Sequence, residues 1–223
     1  MTRNELARML DHSVLKPEAS EHDILSGADV VQTWRIGYYC VQPGWVKTAA
    51  AALAESEAAV VSVAGFPHGC DRSEVKARAA AIAVADGATE IDMVMNIGAL
   101  RSGHALLVAA DIEAVVHAAH GAAVKVILES AALTDDEKRL ACRLAVDHGA
   151  RFVKTSTGFH PAGGATIADV RLMRAAVGAA IGVKASGGIR TLADARAIIE
   201  AGANRIGTSS SAAILAGLLP SGK

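Results

Sequence analysis

Three lysines stand in short apolar segments, where a charged side chain is costly to bury. Lys125 lies in VKVILES, Lys154 in FVKTSTGF and Lys184 in GVKASGG. A lysine on a buried strand must reach water with its ammonium group, pair with a carboxylate, or lose its charge. An unprotonated lysine amine attacks carbonyl carbons and forms a Schiff base. The segments therefore indicate carbonyl chemistry at a lysine, with a structural ion-pair network as the alternative.

Asp92, in EIDMVMN, is the carboxylate that we expect beside these lysines, because its apolar neighbours indicate a buried strand. A Schiff-base reaction that makes or breaks a carbon–carbon bond needs a group that moves protons, and a carboxylate can do this. In the structural alternative, Lys154 and Lys184 are merely paired with Asp92 or Glu129. The presence of Asp92 favours the catalytic interpretation.

The residues themselves leave open which lysine attacks. Lys154 and Lys184 lie at the ends of predicted strands, whereas Lys125 lies near the start of its strand, deeper in the interior. Two ammonium groups ~5 Å apart repel each other by about 3 kcal/mol at an effective dielectric of ~20. This repulsion, with desolvation, lowers a lysine pKa from its usual value of about 10.4 towards 7. Because the repulsion is symmetric, it does not distinguish the two lysines.

The elements that carry these residues alternate between β-branched apolar runs and Ala-rich runs at helical spacing, which is typical of βα units around a parallel sheet. Thr134, Thr166 and Thr191 are predicted N-caps. The pattern predicts a single (β/α)8 TIM barrel over residues 1–223, with a short N-terminal helix and a flexible tail from about 218. The predicted strands are His12–Leu15, Tyr38–Val41, Ala59–Val63, Glu90–Met95, Val124–Glu129, Arg151–Lys154, Ile181–Lys184 and Arg205–Gly207. The predicted helices span residues 20–34, 43–55, 72–86, 103–119, 134–148, 166–177, 191–200 and 209–217.

A glycine precedes four of the predicted strands at a similar place. Counting five residues on from each glycine gives late-strand positions that hold a polar residue or a glycine. In a barrel the carboxyl ends of the strands form one mouth, so these positions should face a common site. The glycines are Gly37, Gly87, Gly149 and Gly202, and the corresponding positions are Gln42, Asp92, Lys154 and Gly207.

The composition excludes several classes of function. Of 223 residues, 52% are hydrophobic and 3% aromatic, as expected for buried parallel strands packed with small aliphatic side chains. The formal net charge of -1 gives no field to attract nucleic acid or an anionic membrane. The three cysteines and eight histidines show no disulfide or metal-ligand spacing. Without a membrane-length apolar run or a leader pattern, we expect a cytoplasmic protein.

Two glycine- and serine-rich segments should bind an anion. ASGGIR follows the seventh predicted strand and GTSSS follows the eighth. Backbone N–H groups in such turns, and the start of the following helix, offer donors to a phosphate. The loops after strands seven and eight are also the usual phosphate site of such barrels. We therefore expect a phosphorylated ligand at this mouth.

Seven motifs together resemble the deoxyribose-phosphate aldolase family of class I aldolases. The resemblance covers about residues 10–212, and the KTSTGF and KASGGIR pair is highly specific to the family. It implies a (β/α)8 barrel that, with no metal or cofactor, joins acetaldehyde and glyceraldehyde 3-phosphate reversibly into 2-deoxyribose 5-phosphate. Its partners would be small phosphorylated sugars and short aldehydes, with a homo-oligomer possible. The motifs are DHSVLK, GFPHG, GATEIDMVMNIGAL, KVILES, FVKTSTGF, VKASGGIR and RIGTSS.

The resemblance also implies roles for individual residues. Lys154 matches the Schiff-base lysine, Lys184 the lysine that perturbs its pKa, and Asp92 the residue that relays protons. Asp11 matches an acidic position near the reacting centre and Cys40 a cysteine near the aldehyde pocket. Lys125 is expected to complete the charge network. The positions that match the phosphate pocket are Gly158, Gly187, Gly188, Gly207, Ser209 and Ser210.

Two other functions compete with this interpretation. A Schiff-base aldolase or transaldolase on the same barrel could act on a longer sugar phosphate. A non-catalytic sugar-phosphate binding barrel would hold Lys154 and Lys184 as a structural pair. A reducible covalent adduct would form with either aldolase but not with the binding barrel. Turnover of a ketose phosphate would distinguish the aldolase for longer sugars from a deoxyribose phosphate aldolase.

Overall fold

The computed structural model describes residues 1–218, in which eight parallel strands close into a barrel in chain order. The predicted (β/α)8 barrel is confirmed. Strand boundaries agree with the prediction to within two residues at each end, and the predicted tail from about residue 218 lies almost wholly outside the described residues. The strands are β1 (Leu10–Val14), β2 (Tyr38–Val41), β3 (Ala59–Ala64), β4 (Glu90–Val94), β5 (Ala123–Ile127), β6 (Phe152–Lys154), β7 (Gly182–Ser186) and β8 (Arg205–Thr208).

Helices follow the strands and cover the outside of the barrel. The side chains of Thr134, Thr166 and Thr191 cap the helices that follow them, as predicted. Such a side chain accepts a hydrogen bond from a backbone N–H that the first turn leaves unpaired. The helices are α1 (Arg3–Met9), α2 (Glu21–Trp34), α3 (Val46–Ala52), α4 (Ser73–Ala85), α5 (Ile97–Arg101), α6 (Ala105–Ala118), α7 (Asp135–Asp147), α8 (Ile167–Val177), α9 (Leu192–Glu200) and α10 (Ser211–Ala216).

Two predicted helices differ from the structure, and one observed helix was not predicted. The helix expected over 43–55 is a 3-10 turn at Pro43–Trp45 followed by α3, because Pro43 lies in the first turn and Gly44 follows it. The short helix α5, capped by the Asn96 side chain, precedes α6 and was missed. The helix expected over 209–217 begins at Ser211. No described helix is long and apolar enough to cross a membrane.

The interior of the barrel is built in four layers of side chains from alternate strands. The strand register places the residues of each layer at one height. The sheet's outer face and the helices share the large aliphatic core, so the interior is free to hold polar groups. From the amino end to the carboxyl end, the layers are Tyr38, Glu90, Phe152 and Arg205; Asp11, Val61, Lys125 and Lys184; Cys40, Asp92, Lys154 and Gly207; and Ser13, Val63, Ile127 and Ser186.

The third layer confirms three of the four positions predicted from the glycine spacing and corrects the fourth. Asp92, Lys154 and Gly207 share this layer, but the β2 position belongs to Cys40. Gln42 lies beyond the strand and donates its side-chain N–H to the Leu15 carbonyl at 2.8 Å. The strand β2 begins directly after Gly37, so the five-residue count overshoots the layer by two residues.

Candidate active site

Asp92 lies at the centre of the barrel and contacts all three strand lysines. Its Oδ1 accepts from Lys125 Nζ at 2.7 Å, while its Oδ2 accepts from Lys154 Nζ and from Lys184 Nζ, each at 2.7 Å. The carboxylate is fully buried and the Lys154 side chain is only 3% exposed. The structure thus brings together Asp92, Lys154 and Lys184, which the sequence analysis placed at one site.

Lys184 has a second carboxylate partner, which the sequence did not pair with it. Its ammonium group also donates to Asp11 Oδ2, from β1 across the barrel. A Cβ atom on Gly207 would lie 3.0 Å from the Lys184 side chain, so the glycine leaves room for this lysine to cross. Asp11 Oδ1 is buried and has no hydrogen-bond partner among residues 1–218.

The partners of Asp92 and Lys184 keep both groups charged. Burial alone would raise the pKa of Asp92, but Lys125, Lys154 and Lys184 outweigh it and hold that pKa well below its usual range. Burial alone would lower the pKa of Lys184. The Asp11 and Asp92 carboxylates reverse this effect and raise the pKa above that of a free lysine.

The pKa of Lys154 shifts in the opposite direction to that of Lys184, because Lys154 shares its carboxylate partner, Asp92, with two other lysines. Burial lowers its pKa, the neighbouring Lys184 ammonium lowers it further, and Asp92 only partly opposes them. The pKa of Lys154 is thus lowered while that of Lys184 is raised, so Lys154 loses its proton more readily than Lys184. This asymmetry distinguishes the two lysines, which charge repulsion alone does not.

Lys125 lies below this pair, towards the amino end of the barrel, as predicted. Its ammonium group bridges Asp92 and Glu90, with Nζ 2.6 Å from Glu90 Oε2. Glu90 also accepts from Arg205 at 2.9 Å. The sequence interpretation missed Glu90 and Arg205, although the two-residue spacing of Glu90 and Asp92 places both on one face of β4.

A cavity of about 760 Å³ opens above the lysines at the carboxyl end of the barrel. Lys154 lines it, whereas Asp92, Lys184 and Lys125 are buried beneath it. The exposed Arg190 reaches the same cavity. All six predicted phosphate-binding residues line it: Gly158, Gly187, Gly188, Gly207, Ser209 and Ser210.

The loops after β6 and β7 meet through glycines at the rim of this cavity. Gly158 and Gly187 have φ angles of 85° and 87°, which only glycine adopts without strain. A Cβ on Gly187 would lie 2.8 Å from the Cα of Gly164, so the two backbones touch. Small residues therefore bring two segments of main chain close to whatever the cavity holds.

Glu129, which the structural alternative offered beside Asp92 as a partner for the lysines, instead positions the loop after β6. Its buried carboxylate accepts from the Thr157 hydroxyl at 2.5 Å and the Thr157 N–H at 3.3 Å. Glu129 itself has a left-handed backbone with φ 58°, an unusual conformation for a residue with a side chain. The sequence feature that could have indicated this buried carboxylate is a glutamate directly after the segment KVIL.

Cys40 and His12 lie beside the site but make no polar contact with its lysines. Cys40 packs with Leu15, Val61 and Val63, and burial raises the pKa of its thiol to about 12. Cys40 thus packs as a small apolar residue. His12 is buried with Nδ1 3.1 Å from the Ser211 hydroxyl.

The ionisable residues of the site form ion pairs rather than a set of metal ligands. Among the described residues, histidine, cysteine, aspartate and glutamate side chains form no cluster of three or more that could hold a metal ion. Each carboxylate at the centre instead faces a lysine.

Comparison with known proteins agrees with this geometry over nearly the whole chain. The model of the DeoC/LacD family aldolases matches residues 5–217. A deoxyribose-phosphate aldolase of Enterococcus faecalis is 52% identical over 214 residues, which cover 96% of this chain and 97% of that protein. One of Bacillus licheniformis is 53% identical over 215 residues, or 96% of each chain. A deoxyribose phosphate aldolase from Aeropyrum pernix, described as tetrameric, has a solved structure that superposes with a TM-score of 0.90 at 32% identity, covering 96% of this chain and 91% of its own. This chain belongs to the DeoC/LacD aldolase family.

Proposed function

We propose that the protein is a class I aldolase that cleaves 2-deoxy-D-ribose 5-phosphate reversibly into acetaldehyde and D-glyceraldehyde 3-phosphate. The observation that carries the proposal is Lys154, a lysine at the cavity whose pKa is lowered while its neighbour Lys184 stays charged. A neutral amine is the form that attacks an aldehyde. The names of the family relatives support the choice of substrate.

The reaction begins at Lys154. Its neutral Nζ attacks the C1 aldehyde of the open-chain sugar, and the resulting carbinolamine takes up a proton from solvent and loses water to give a protonated imine; the later hydrolysis of the imine returns this proton to solvent. The positive imine then accepts the electron pair of the C2–C3 bond. Asp92, whose Oδ2 lies 2.7 Å from Lys154 Nζ, takes the C3 hydroxyl proton directly or through a water molecule.

Breaking the C2–C3 bond releases glyceraldehyde 3-phosphate and leaves an enamine on Lys154. The proton held by Asp92 returns to C2, which regenerates the imine, and water hydrolyses it to acetaldehyde and free lysine. Lys184 donates to Asp92 and Asp11 throughout and keeps both carboxylates oriented. The fixed ammonium at Lys184 also disfavours protonation of Lys154 before attack.

The phosphate binds at the far end of the cavity, among the loops after β6, β7 and β8. The chain carries a net charge of -1, so an anion must be held by local donors. Backbone approach at Gly187 and Gly188 and the hydroxyls of Ser209 and Ser210 supply these donors. Phosphate held there orients the sugar with its aldehyde towards Lys154.

Borohydride trapping tests the proposal. Incubation with 2-deoxyribose 5-phosphate and borohydride, followed by peptide mapping, should give a reduced adduct on Lys154 and none in Lys154→Ala. Lys76→Met, which removes a buried lysine outside the cavity, is the matched control and should keep the adduct. A folded protein that binds the sugar phosphate without an adduct would instead be a binding barrel. Turnover of a ketose phosphate alone would indicate a different aldolase.

A homo-oligomer is the assembly that we propose, supported by the tetramer described for the Aeropyrum pernix relative. Leu106 on α6 and Val75 on α4, two helices in contact, are 87% and 55% exposed and offer apolar surface that an oligomer interface would bury. Light scattering of the eluted protein measures the state directly. A monomeric mass at micromolar concentration would contradict the proposal.

A further inference from the structure

The amino end of the barrel interior holds an ion pair that lies outside the cavity. Glu90 and Arg205 are the first residues of β4 and β8, and Glu90 Oε2 accepts from the Arg205 guanidinium at 2.9 Å. The guanidinium lies 3.1 Å from the Tyr38 ring centroid and 5.1 Å from that of Phe152. Neither Glu90 nor Arg205 lines the cavity.

This pair continues into the active site through an unbroken series of short contacts. Glu90 Oε2 is 2.6 Å from Lys125 Nζ, and Lys125 Nζ is 2.7 Å from Asp92 Oδ1. The other oxygen of Asp92, Oδ2, accepts hydrogen bonds from Lys154 Nζ and Lys184 Nζ. A single side chain, Lys125, therefore separates the Glu90 carboxylate from the carboxylate proposed to move protons.

The charges along this series balance only if one lysine is neutral. The interior holds four basic side chains and three carboxylates within the described strands. The neutral amine at Lys154 leaves three cations opposite three anions. The basic side chains are Arg205, Lys125, Lys154 and Lys184, and the carboxylates are Glu90, Asp92 and Asp11.

We propose that Glu90 and Arg205 are positioning residues for the aldol reaction: their charges, transmitted through Lys125 and Asp92, set the protonation state of Lys154 at the opposite end of the barrel. The inference rests on the proposed function, in which Lys154 attacks as a neutral amine. The groups that face Lys154 directly are Asp92 from β4, Lys184 from β7 and Cys40 from β2.

The sign of each effect follows from the charge removed. Glu90→Gln removes a negative charge, so the interior disfavours an ammonium at Lys154 more strongly and the amine persists to lower pH. Arg205→Gln removes a positive charge and has the opposite effect. Since these groups are at most 12% exposed, solvent screens them weakly. A unit charge at ~10 Å and an effective dielectric of ~20 shifts the titration of Lys154 by about one pH unit.

The pH dependence of kcat/KM measures this shift, because its acid limb reports the ionisation of the free enzyme. Relative to the unsubstituted protein, the acid limb should move down by about one pH unit in Glu90→Gln and up by a similar amount in Arg205→Gln. The double variant should return close to the starting position. A loss of packing alone would lower the rate without moving the limb in opposite directions.

Two controls keep the charge while changing the structure. Arg205→Lys retains the positive charge and should leave the acid limb in place. Phe152→Leu removes a ring that contacts Arg205 without changing any charge, and should also leave the limb in place. If Glu90→Gln does not fold, Arg205→Gln and Arg205→Lys decide the matter, because only the first should shift the limb.

The outcomes separate this inference from the proposed function. The inference would be overturned if the acid limb lay at the same pH in all variants, or if Arg205→Gln and Arg205→Lys shifted it equally. In either case an adduct on Lys154 in the unsubstituted protein would still support the aldolase reaction. Opposite shifts that cancel in the double variant would support the inference. No adduct in the unsubstituted protein would overturn both.

Discussion

Two fully buried arrangements of lysine and carboxylate among the described residues can be compared, one outside the sheet and one beneath the cavity that Lys154 lines. Outside the sheet, Lys76 on α4 donates to Asp111 on α6 at 2.6 Å and to the Val94 carbonyl at 2.9 Å. Inside the barrel, the Asp92 carboxylate forms ion pairs with Lys125, Lys154 and Lys184. Both arrangements are buried, both use short contacts, and both lie close to the carboxyl half of β4.

The difference lies in the number of cations for each carboxylate. Lys76 has a carboxylate of its own and a backbone acceptor, so its charge is compensated. Lys154 shares one carboxylate with two other lysines, so burial and repulsion lower its pKa. The pKa of this buried lysine is therefore lowered by burial together with a deficit of negative charge, and not by burial alone.

Replacing Lys154 with methionine should produce the largest effect. The variant keeps the length of the side chain but has no nucleophile, and we expect kcat/KM to fall by about 10⁵-fold or more. The protein should fold as well as before, because the remaining two lysines pair with Asp92. Steady-state assays and thermal unfolding measure both effects. A rate within tenfold of the starting value would contradict the role of Lys154.

Asp92→Asn should lower kcat by about 10² to 10⁴-fold, as expected for the loss of a proton-transfer group. It also leaves three buried lysines without their common anion, so the free energy of unfolding should fall. Asp111→Asn is the matched control, a buried carboxylate outside the cavity. Its activity per folded molecule should stay within about twofold, and an equal loss in both variants would abolish the contrast between the two sites.

Lys76→Met should cost about 3–5 kcal/mol of stability, because it leaves the Asp111 carboxylate buried and uncompensated. The Asp111 Oδ1 atom already lacks a partner among the described residues, which sharpens the penalty. Lys76→Met combined with Asp111→Leu should recover most of this loss. Urea unfolding measures the effect, and a double variant no more stable than the single one would show that the pair is not the cause.

The smallest expected effect is on how the stability of the protein depends on acid pH, through the ionisation of Asp92. The pKa of Asp92 is lower in the folded than in the unfolded chain, where it is about 3.9. Its stabilising contribution is therefore complete above about pH 4 and is lost as the pH falls towards the folded pKa. Each pKa unit contributes about 1.4 kcal/mol, so the gap in unfolding free energy between the unsubstituted protein and Asp92→Asn should narrow from pH 6 to pH 3. A constant gap would contradict the ionised state of Asp92.

The fold and the centre of the site could be predicted because they depend on local patterns. Strand alternation places Asp92 and Lys154 on inward faces, and a glycine before each strand places them at one height. The partners of these residues depend on barrel closure and leave no local trace. Arg205 contacts Glu90 across 115 residues, and Lys184 contacts Asp11 across 173 residues. The error at Gln42 has a similar cause, because a glycine marks the turn but not the length of chain that follows it.

The contact between Gly164 and Gly187 constrains how this active site can change. No side chain fits on Gly164, because its Cβ would overlap the carbonyl group of Gly187. The conformations of the loops after β6 and β7 are therefore coupled at this contact. A library that places other residues at Gly164 while the loop after β7 stays fixed would lose those members to collision. New substrate preferences should be sought by exchanging both loops together.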